Sequence, residues 1–155
     1  MRRYWLFKSE PDVFSIQDLA KAAGKRTSWE GVRNYQARNM LRDEVAVGDG
    51  VLFYHSVKDP GVVGTAVVVR AGYPDTSACD PNSDYYDEKS STENPRWYMV
   101  DIKLDQKFSQ PLPLAELREM PVLQEMELLR KGSRLSIQPV RKKEWTAILK
   151  KAGVV

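Results

Sequence analysis

The chain has 155 residues, 42% hydrophobic and 29% charged, a composition that fits a soluble globular protein and excludes a disordered one. Its one cysteine, Cys79, excludes an intramolecular disulfide and a cysteine-based zinc site, and no apolar run approaches the ~18 residues that a membrane helix needs. The net charge of +3 is too small by itself to indicate a nucleic-acid-binding protein.

The first third of the chain predicts one strand and two short helices. Residues 4–8 form an aromatic-rich run that is typical of a buried strand. Ser15, with Asp18 three residues later, predicts a capped helix start, and Gly24 ends the apolar stripe of this helix. A second short helix is predicted over 35–42. The segment between the two helices is therefore expected to be a connection.

The middle of the chain predicts two strands and a long loop. Residues 51–55 read as a strand, and 62–69 carry the strongest strand signal in the sequence. Gly64 inside the second run predicts a bulge or a close approach of another backbone. Residues 73–95 form a polar loop, and loops of this length in a compact domain are commonly functional or disordered.

The last third of the chain mixes strands with helices. Residues 97–108 and 133–140 alternate as strands, so that in the second of these Arg134, Ser136 and Gln138 share one face. Short helices are predicted over 111–118 and 122–130, and a last helix begins at Lys142.

No repeat or linker divides the chain, so we predict a single domain over 1–155. The five to six strands with short helices between them show no regular strand–helix–strand alternation. This pattern favours the α+β class, with a small mixed β-barrel flanked by short helices, over a doubly wound parallel sheet.

Charge is distributed unevenly along the chain. Residues 75–94 hold six acidic residues and one lysine, which leaves a net charge of +8 for the rest. Residues 1–42 hold nine basic and four acidic residues, and 130–151 hold eight and one. A basic surface interrupted by one acidic loop is compatible with phosphate binding, but solvated helix faces give the same pattern.

Residues 28–39 combine two aromatic, two arginine and two asparagine residues around Gly31. Aromatic rings stack on planar groups, amides read hydrogen-bonding edges, and guanidinium groups hold phosphates. These are the groups that hold a nucleobase outside its stack. The alternative is that Trp29 and Tyr35 pack in the core beside a helix with solvated arginines.

Four segments taken together resemble the EVE domain family, in the order in which that family has them. They are residues 4–11, 29–39, 53–56 and 134–140. The resemblance covers essentially the whole chain and implies a PUA-like β-barrel with helices packed around it. It also implies kinship with the YTH and ASCH domains and recognition of a modified base, with modified cytosine in DNA as the leading candidate and RNA as the other.

The chain starts at its first predicted strand, where eukaryotic members of the family carry a long basic tail. It is similar in this respect to the bacterial stand-alone form, and we expect a cytoplasmic protein. We also expect a monomer with no cofactor, no metal and no membrane association.

The resemblance implies a base pocket near the end of the first strand. In the related YTH domains a Lys-Ser pair and a tryptophan about twenty residues later face one base, and Lys8, Ser9 and Trp29 have that arrangement here. The predicted pocket residues are Lys8, Ser9, Trp29, Val32, Asn34, Tyr35, Tyr54, His55, Ser56, Trp97, Arg134, Ser136 and Gln138.

Several of these residues have an equally plausible structural role. Ser9, Asn34 and Ser56 are also typical of caps and turns. Tyr85 and Tyr86 could flank a ligand or fix the acidic loop to the barrel. Phosphate contacts, which position the nucleic acid without reading its sequence, are predicted for Arg33, Arg38, Lys142 and Lys143.

Two other functions stay open at this point. An enzyme would use His55, the only histidine, as general acid or base with Asp49 or Asp101. No Ser-His-Asp order, carboxylate pair or metal-ligand cluster in the sequence supports it, so we predict a binding protein. The second alternative is an RNA-binding module that reads shape and phosphate without a base pocket.

Overall fold

The computed structural model describes residues 2–154. Six strands are present: β1 (Tyr4–Ser9), β2 (Arg26–Ser28), β3 (Gly50–His55), β4 (Gly61–Pro74), β5 (Tyr98–Pro113) and β6 (Ile137–Val140). The helices are α1 (Ile16–Lys21), α2 (Tyr35–Asp43), α3 (Leu114–Arg118) and α4 (Lys142–Lys151). Short 3₁₀ turns occupy Ala23–Lys25, Thr76–Cys79, Pro121–Leu123 and Glu127–Leu129.

All six strands belong to one mixed sheet in the order β2-β5-β4-β3-β1-β6. The β1–β3 pair is parallel, and every other pair is antiparallel. Register shifts interrupt β3–β4 once and β4–β5 several times, and such bulges bend and twist long strands. The predicted α+β class, with a mixed sheet of five to six strands and short flanking helices, is confirmed.

The sheet separates two hydrophobic clusters. Because successive side chains of a strand point to opposite faces, Phe7 and Phe53 lie in the first cluster with residues of α1 and α2. Leu6 and Tyr54 lie in the second cluster with residues of α3 and α4. Ser9, two residues beyond Phe7, therefore lies on the face of the first cluster.

The predicted helix cap at Ser15 is confirmed, and Asn34, predicted as a pocket residue with a cap as the alternative, also caps a helix. The Ser15 hydroxyl accepts the Asp18 N–H at 3.1 Å, and the Asp18 carboxylate accepts the Ser15 N–H at 2.9 Å, which forms a reciprocal capping box before α1. At α2 the Asn34 side chain accepts the Ala37 N–H at 3.0 Å. Gly64 lies at a register shift between β4 and β5, where a side chain would collide with the Gln106 backbone, so the predicted irregularity is also confirmed.

Three predicted elements are wrong in part. The strand predicted over 133–140 forms only as β6, because the Gln138 amide donates to the Leu135 carbonyl at 2.9 Å and holds a turn there. Residues 122–130 form two 3₁₀ turns around an extended Met126 instead of one helix. Strand β5 continues to Pro113, in place of the helix predicted from residue 111, because it pairs with β4 up to Gly61.

The short strand β2 has no counterpart among the elements predicted from the sequence. It pairs with β5 and places Ser28 opposite Asp101, immediately before Trp29. Across residues 2–154, no helix has the length and apolar character to cross a membrane.

Candidate nucleic-acid interface

A cavity of about 350 Å³ opens on the first face of the sheet, where β1 ends and the segment after β2 passes over it. This size lies within the range of small-molecule and cofactor sites. Its lining is Lys8, Ser9, Glu10, Val13, Phe14, Thr27, Ser28, Trp29, Glu30, Gly31, Val32, Arg33, Tyr85 and Ser136. We call this cavity the end pocket.

Trp29 forms a wall of the end pocket and is at the same time part of the first hydrophobic cluster. Only 8% of the residue is exposed. Its ring lies 5.4 Å from that of Phe7, 5.5 Å from Phe53 and 6.3 Å from Phe14, measured between ring centroids. The packing and the ligand-binding interpretations of this tryptophan are therefore compatible, because the buried ring still borders the open cavity.

The acidic loop between β4 and β5 brings Tyr85 to the end pocket. Gly31 has a φ of +84°, and a side chain added to it would lie 2.6 Å from atoms of the Tyr85 ring. The tyrosine ring thus packs directly on the Gly31 backbone, which only a glycine permits. Two aromatic residues from distant parts of the chain, Trp29 and Tyr85, consequently line one cavity.

A buried carboxylate fixes this loop in place. Asp75 is 2% exposed; its Oδ2 accepts from Gly31 N at 2.8 Å and Arg33 Nη1 at 3.1 Å, and its Oδ1 accepts from Ser77 N at 3.0 Å. Burial by itself would raise the pKa of Asp75, but the hydrogen bonds from Ser77, Gly31 and Arg33 hold it below its usual value. We call this arrangement the Asp75 clasp.

Arg33, for which the sequence predicted a phosphate contact, binds to the acidic loop. Its guanidinium group donates to the Tyr85 carbonyl at 2.6 Å and to Asp75. It also lies 5.2 Å from the ring centroid of Trp97. Most of its hydrogen-bonding capacity is therefore used within the protein, which leaves little for a phosphate.

Tyr35 and Trp97 lie beside the end pocket and do not line it. Their rings stack at 4.9 Å, Trp97 Nε1 donates to Asp87 at 2.7 Å, and Tyr35 is 52% exposed. Arg38, another predicted phosphate contact, lies 4.9 Å from the Tyr35 centroid and donates to the Arg96 carbonyl at 2.9 Å. This stack secures the base of the acidic loop.

The side chains of Lys8 and Ser9 point to opposite faces of the sheet because the two residues are neighbours on one strand. The Ser9 hydroxyl donates to the Phe14 carbonyl at 2.5 Å, on the pocket side. The Lys8 ammonium lies 5.9 Å from the ring centroid of Tyr54, which belongs to the second cluster. Burial lowers the pKa of Lys8, although the Glu127 carboxylate acts in the opposite direction.

His55 holds the start of α1. Its Nε2 accepts the Ile16 N–H at 3.1 Å, and burial lowers the pKa of the ring, so the neutral form is the one that fits. The two acids that an enzyme would pair with His55 bind other groups. Asp49 accepts from Trp5 Nε1 at 2.9 Å, and Asp101 accepts from Arg26 at 2.9 Å. The geometry thus gives His55 a structural role.

We expect this histidine to make stability depend on pH. Because its pKa is lower in the folded than in the unfolded chain, its contribution is complete above the ordinary value of 6.5 and is lost as the pH falls through the folded pKa. Denaturant unfolding from about pH 8 to about pH 5.5 measures the effect. His55→Gln, which keeps an acceptor for Ile16 but does not titrate, should flatten this part of the curve; an unchanged slope would contradict the assignment.

The remaining predicted pocket residues lie outside the lining. Asn34 caps α2, Gln138 is fully buried against Leu135, and Ser56 donates its N–H to the Ser9 carbonyl at 3.0 Å. Arg134 is exposed on the segment before β6. Five of the thirteen predicted pocket residues line the cavity, namely Lys8, Ser9, Trp29, Val32 and Ser136.

Sequence reasoning missed part of the lining. The missed residues are Glu10, Val13, Phe14, Thr27, Ser28, Glu30 and Gly31, and the sequence leaves the role of Tyr85 open. Ser28, Glu30 and Gly31 lie within residues 28–39, which the sequence singled out, so position alone could have included them. The others required knowledge of β2 and of the turn after β1.

A second cavity, of about 550 Å³, lies at the opposite end of β1. Tyr4 and Lys8 are four residues apart on one strand, so the two openings are about 13 Å apart along it. The lining is Arg2, Arg3, Tyr4, Trp5, Pro139, Val140 and Lys142. Arg2 lies over the Tyr4 and Trp145 rings, and Arg3 pairs with Glu44 at 3.3 Å. We call this cavity the basic groove.

Among the described residues, no group of three or more histidine, cysteine, aspartate or glutamate side chains could hold a metal ion.

The bulged mixed sheet with short helices on both faces defines a PUA-like α+β protein. The sequence matches the EVE domain over residues 3–151, and the chain belongs to that family. Human thymocyte nuclear protein 1 is 38% identical over 94% of this chain and 72% of its own length. An uncharacterised protein of Schizosaccharomyces pombe is 41% identical over 95% of this chain and 67% of its own length.

A solved structure of the human relative bears on function. It shows human THYN1 in complex with DNA that contains 5-methylcytosine, at 38% identity and a TM-score of 0.91, with 97% of each chain covered. A hypothetical protein from Leishmania major superposes with a TM-score of 0.93 at 48% identity, over 99% of this chain and 96% of the other.

Proposed function

We propose that this protein binds nucleic acid that carries a modified base, and that the base occupies the end pocket. Modified cytosine in DNA is the first candidate. One observation carries the proposal: the chain shares its fold and 38% of its sequence with a protein solved in complex with 5-methylcytosine-containing DNA, and its own end pocket has aromatic and polar walls.

The walls suit a base turned out of its stack. A flipped base is held by aromatic stacking and by hydrogen bonds to its edge. Trp29 and Tyr85 supply the aromatic surface, and Ser9, Thr27 and Glu30 supply polar groups around it. A methyl group on the base would find apolar surface at Val13 and Phe14.

The proposed role is binding and not catalysis. His55 is engaged with the α1 backbone and lies outside the end pocket, so the enzyme alternative lacks its general acid or base. Monomeric state and cytoplasmic location stay predictions. A relative of this chain is named thymocyte nuclear protein 1, so the cellular location of this chain has to be measured directly.

Phosphate contacts are proposed at the basic groove. Lys142 lines it, Lys143 follows at the start of α4, and Arg2 adds a third positive charge. Because Arg33 and Arg38 are engaged in fixing the acidic loop, we assign no phosphate contact to them. A nucleic-acid strand whose base enters the end pocket would run along β1 and β6 to reach the basic groove.

The test of the proposed function is a binding panel. Matched oligonucleotides, in DNA and in RNA, carry one plain or one modified cytosine, and affinity is measured at fixed salt. The proposal predicts tighter binding to a modified strand. Equal affinity for modified and plain strands would contradict it and would favour a module that reads shape and phosphate.

We expect charge reversal at the basic groove to change salt dependence without changing base preference. For each phosphate that the variant no longer neutralises, the slope of log affinity against log salt should fall by about 0.7–0.9. Lys142→Glu with Lys143→Glu is the test. The control is Lys131→Glu with Lys150→Glu, which makes the same change in net charge at two exposed lysines outside the groove lining. An unchanged slope in the double variant would place the phosphates elsewhere.

A further inference from the structure

The Ser9 and Thr27 hydroxyls of the end pocket offer hydrogen-bond acceptors to a base. The Ser9 hydroxyl donates its proton to the Phe14 carbonyl at 2.5 Å, and the Thr27 hydroxyl donates to the Ser28 carbonyl at 3.3 Å. Each therefore presents only oxygen lone pairs to the cavity. The Arg33 guanidinium is turned to Tyr85 and Asp75.

Glu30 adds an acceptor that carries a charge. Within the described part of the chain its carboxylate has no hydrogen-bond or ion-pair partner, although it lines the end pocket. The backbone on either side of Glu30 is fixed, because Trp29 N donates to the Val100 carbonyl at 2.7 Å and Gly31 N donates to Asp75 at 2.8 Å. Glu30 is exposed and directly follows the stacking tryptophan, so a base in the end pocket can reach its carboxylate oxygens.

We propose that Glu30 is a specificity-determining residue that selects a base with an exocyclic amine, such as 5-methylcytosine, and rejects thymine. The two bases carry the same 5-methyl group and differ where cytosine has the N4 amine, a donor, and thymine has the O4 carbonyl, an acceptor. Stacking and methyl contacts cannot distinguish them, whereas an ionised carboxylate accepts from the amine and repels the carbonyl. The inference rests on the proposed function and adds its chemical selectivity.

Two neighbouring charged groups act on the Glu30 carboxylate in opposite directions. Partial burial and the nearby Asp75 carboxylate raise its pKa, while Arg33 lowers it. Asp75 itself is committed to the clasp, and of the two acids that line the end pocket, Glu10 and Glu30, only Glu30 is adjacent in sequence to Trp29.

The experiment compares three single-stranded DNA oligonucleotides that differ at one position, with 5-methylcytosine, cytosine or thymine. Single strands are used because mismatched bases flip more easily from a duplex, which would favour thymine for an unrelated reason. Wild-type protein is expected to bind the 5-methylcytosine strand about tenfold or more tightly than the thymine strand. In Glu30→Gln, whose amide offers both a donor and an acceptor, the ratio should fall to about threefold or less.

Two further variants locate the effect. Glu88→Gln, on the acidic loop and outside the lining, makes the same change in net charge and should keep the wild-type ratio. Glu30→Ala should lose the ratio as well, because it removes the acceptor altogether. Thermal unfolding of each variant confirms that the folded protein is being compared.

The outcomes separate this inference from the proposed function. If wild-type protein shows no preference for 5-methylcytosine over cytosine, the proposed function fails for this base. If it prefers 5-methylcytosine to cytosine but binds thymine as tightly, the function stands and the inference is overturned. A Glu30→Gln protein that retains the full discrimination against thymine also overturns it, and loss of discrimination in Glu10→Gln instead would assign the role to the other acid of the lining.

Discussion

Replacing Trp29 with alanine is expected to lower both the stability of the protein and its affinity for a modified strand. Because the ring is 8% exposed and packs on Phe7 and Phe53, its removal should cost about 3–5 kcal/mol of unfolding free energy. The missing base stacking should weaken binding by about ten- to a hundredfold. Denaturant unfolding and titration with a modified oligonucleotide, at a temperature where the variant is folded, measure the two effects separately.

Two comparisons make this result specific to the pocket. Trp29→Phe should retain part of the stability and part of the affinity, because a smaller ring still partly fills the cluster and still offers a face for stacking. Phe108→Ala, in the second cluster, should lower stability to a similar extent but leave the preference for the modified base intact. Normal binding by folded Trp29→Ala protein would show that the tryptophan serves packing alone.

Replacing Asp75 with asparagine should release the acidic loop. Both carboxylate oxygens accept from N–H or O–H donors, so whichever way the amide turns, its NH₂ group faces a donor from Ser77 or from Gly31 and Arg33. Breaking a buried ion pair from one side costs about 3–5 kcal/mol. We expect a loss of this order in unfolding free energy, together with weaker discrimination of the modified base as Tyr85 leaves the end pocket.

The matched control is Asp84→Asn, which makes the same change at an exposed position of the same loop. It should change neither stability nor discrimination. Limited proteolysis within 75–94 should be faster in Asp75→Asn than in Asp84→Asn. Equal cleavage rates would contradict the role of the clasp in holding the loop.

The clasp also has a pH signature. The pKa of Asp75 is lower in the folded chain, so its stabilisation is complete above the ordinary value of 3.8 and is lost as the pH falls through the folded pKa. The His55 effect occupies a higher pH range, around its ordinary value of 6.5. The two losses of stability can therefore be separated in one pH series.

Local sequence patterns determined much of the fold. An aromatic-rich run identified β1, apolar runs identified β3 and β4, and alternation identified β5. Ser15 with Asp18 identified the start of α1, because all these signals act over a few residues. The stretch around Trp29 was predicted to be functional from its residue types, and Ser9 and Trp29 do line one cavity.

Tertiary structure decided which of those residues share the cavity. Tyr54 belongs to the second cluster, on the other face of the sheet from Ser9, and Asn34 is used as a helix cap. The short strand β2 was not recognisable, since three residues carry no reliable period and the pairing with β5 is what orders them.

The acidic loop shows most clearly where local signals end. The sequence established its length, its charge and the presence of Tyr85. Its position over Gly31 depends on the Asp75 clasp, whose members are up to 44 residues apart, and on a glycine that allows a ring to pack on the backbone. Contacts between distant segments leave no periodic trace in either one, and only the folded chain brings their donors and acceptors together.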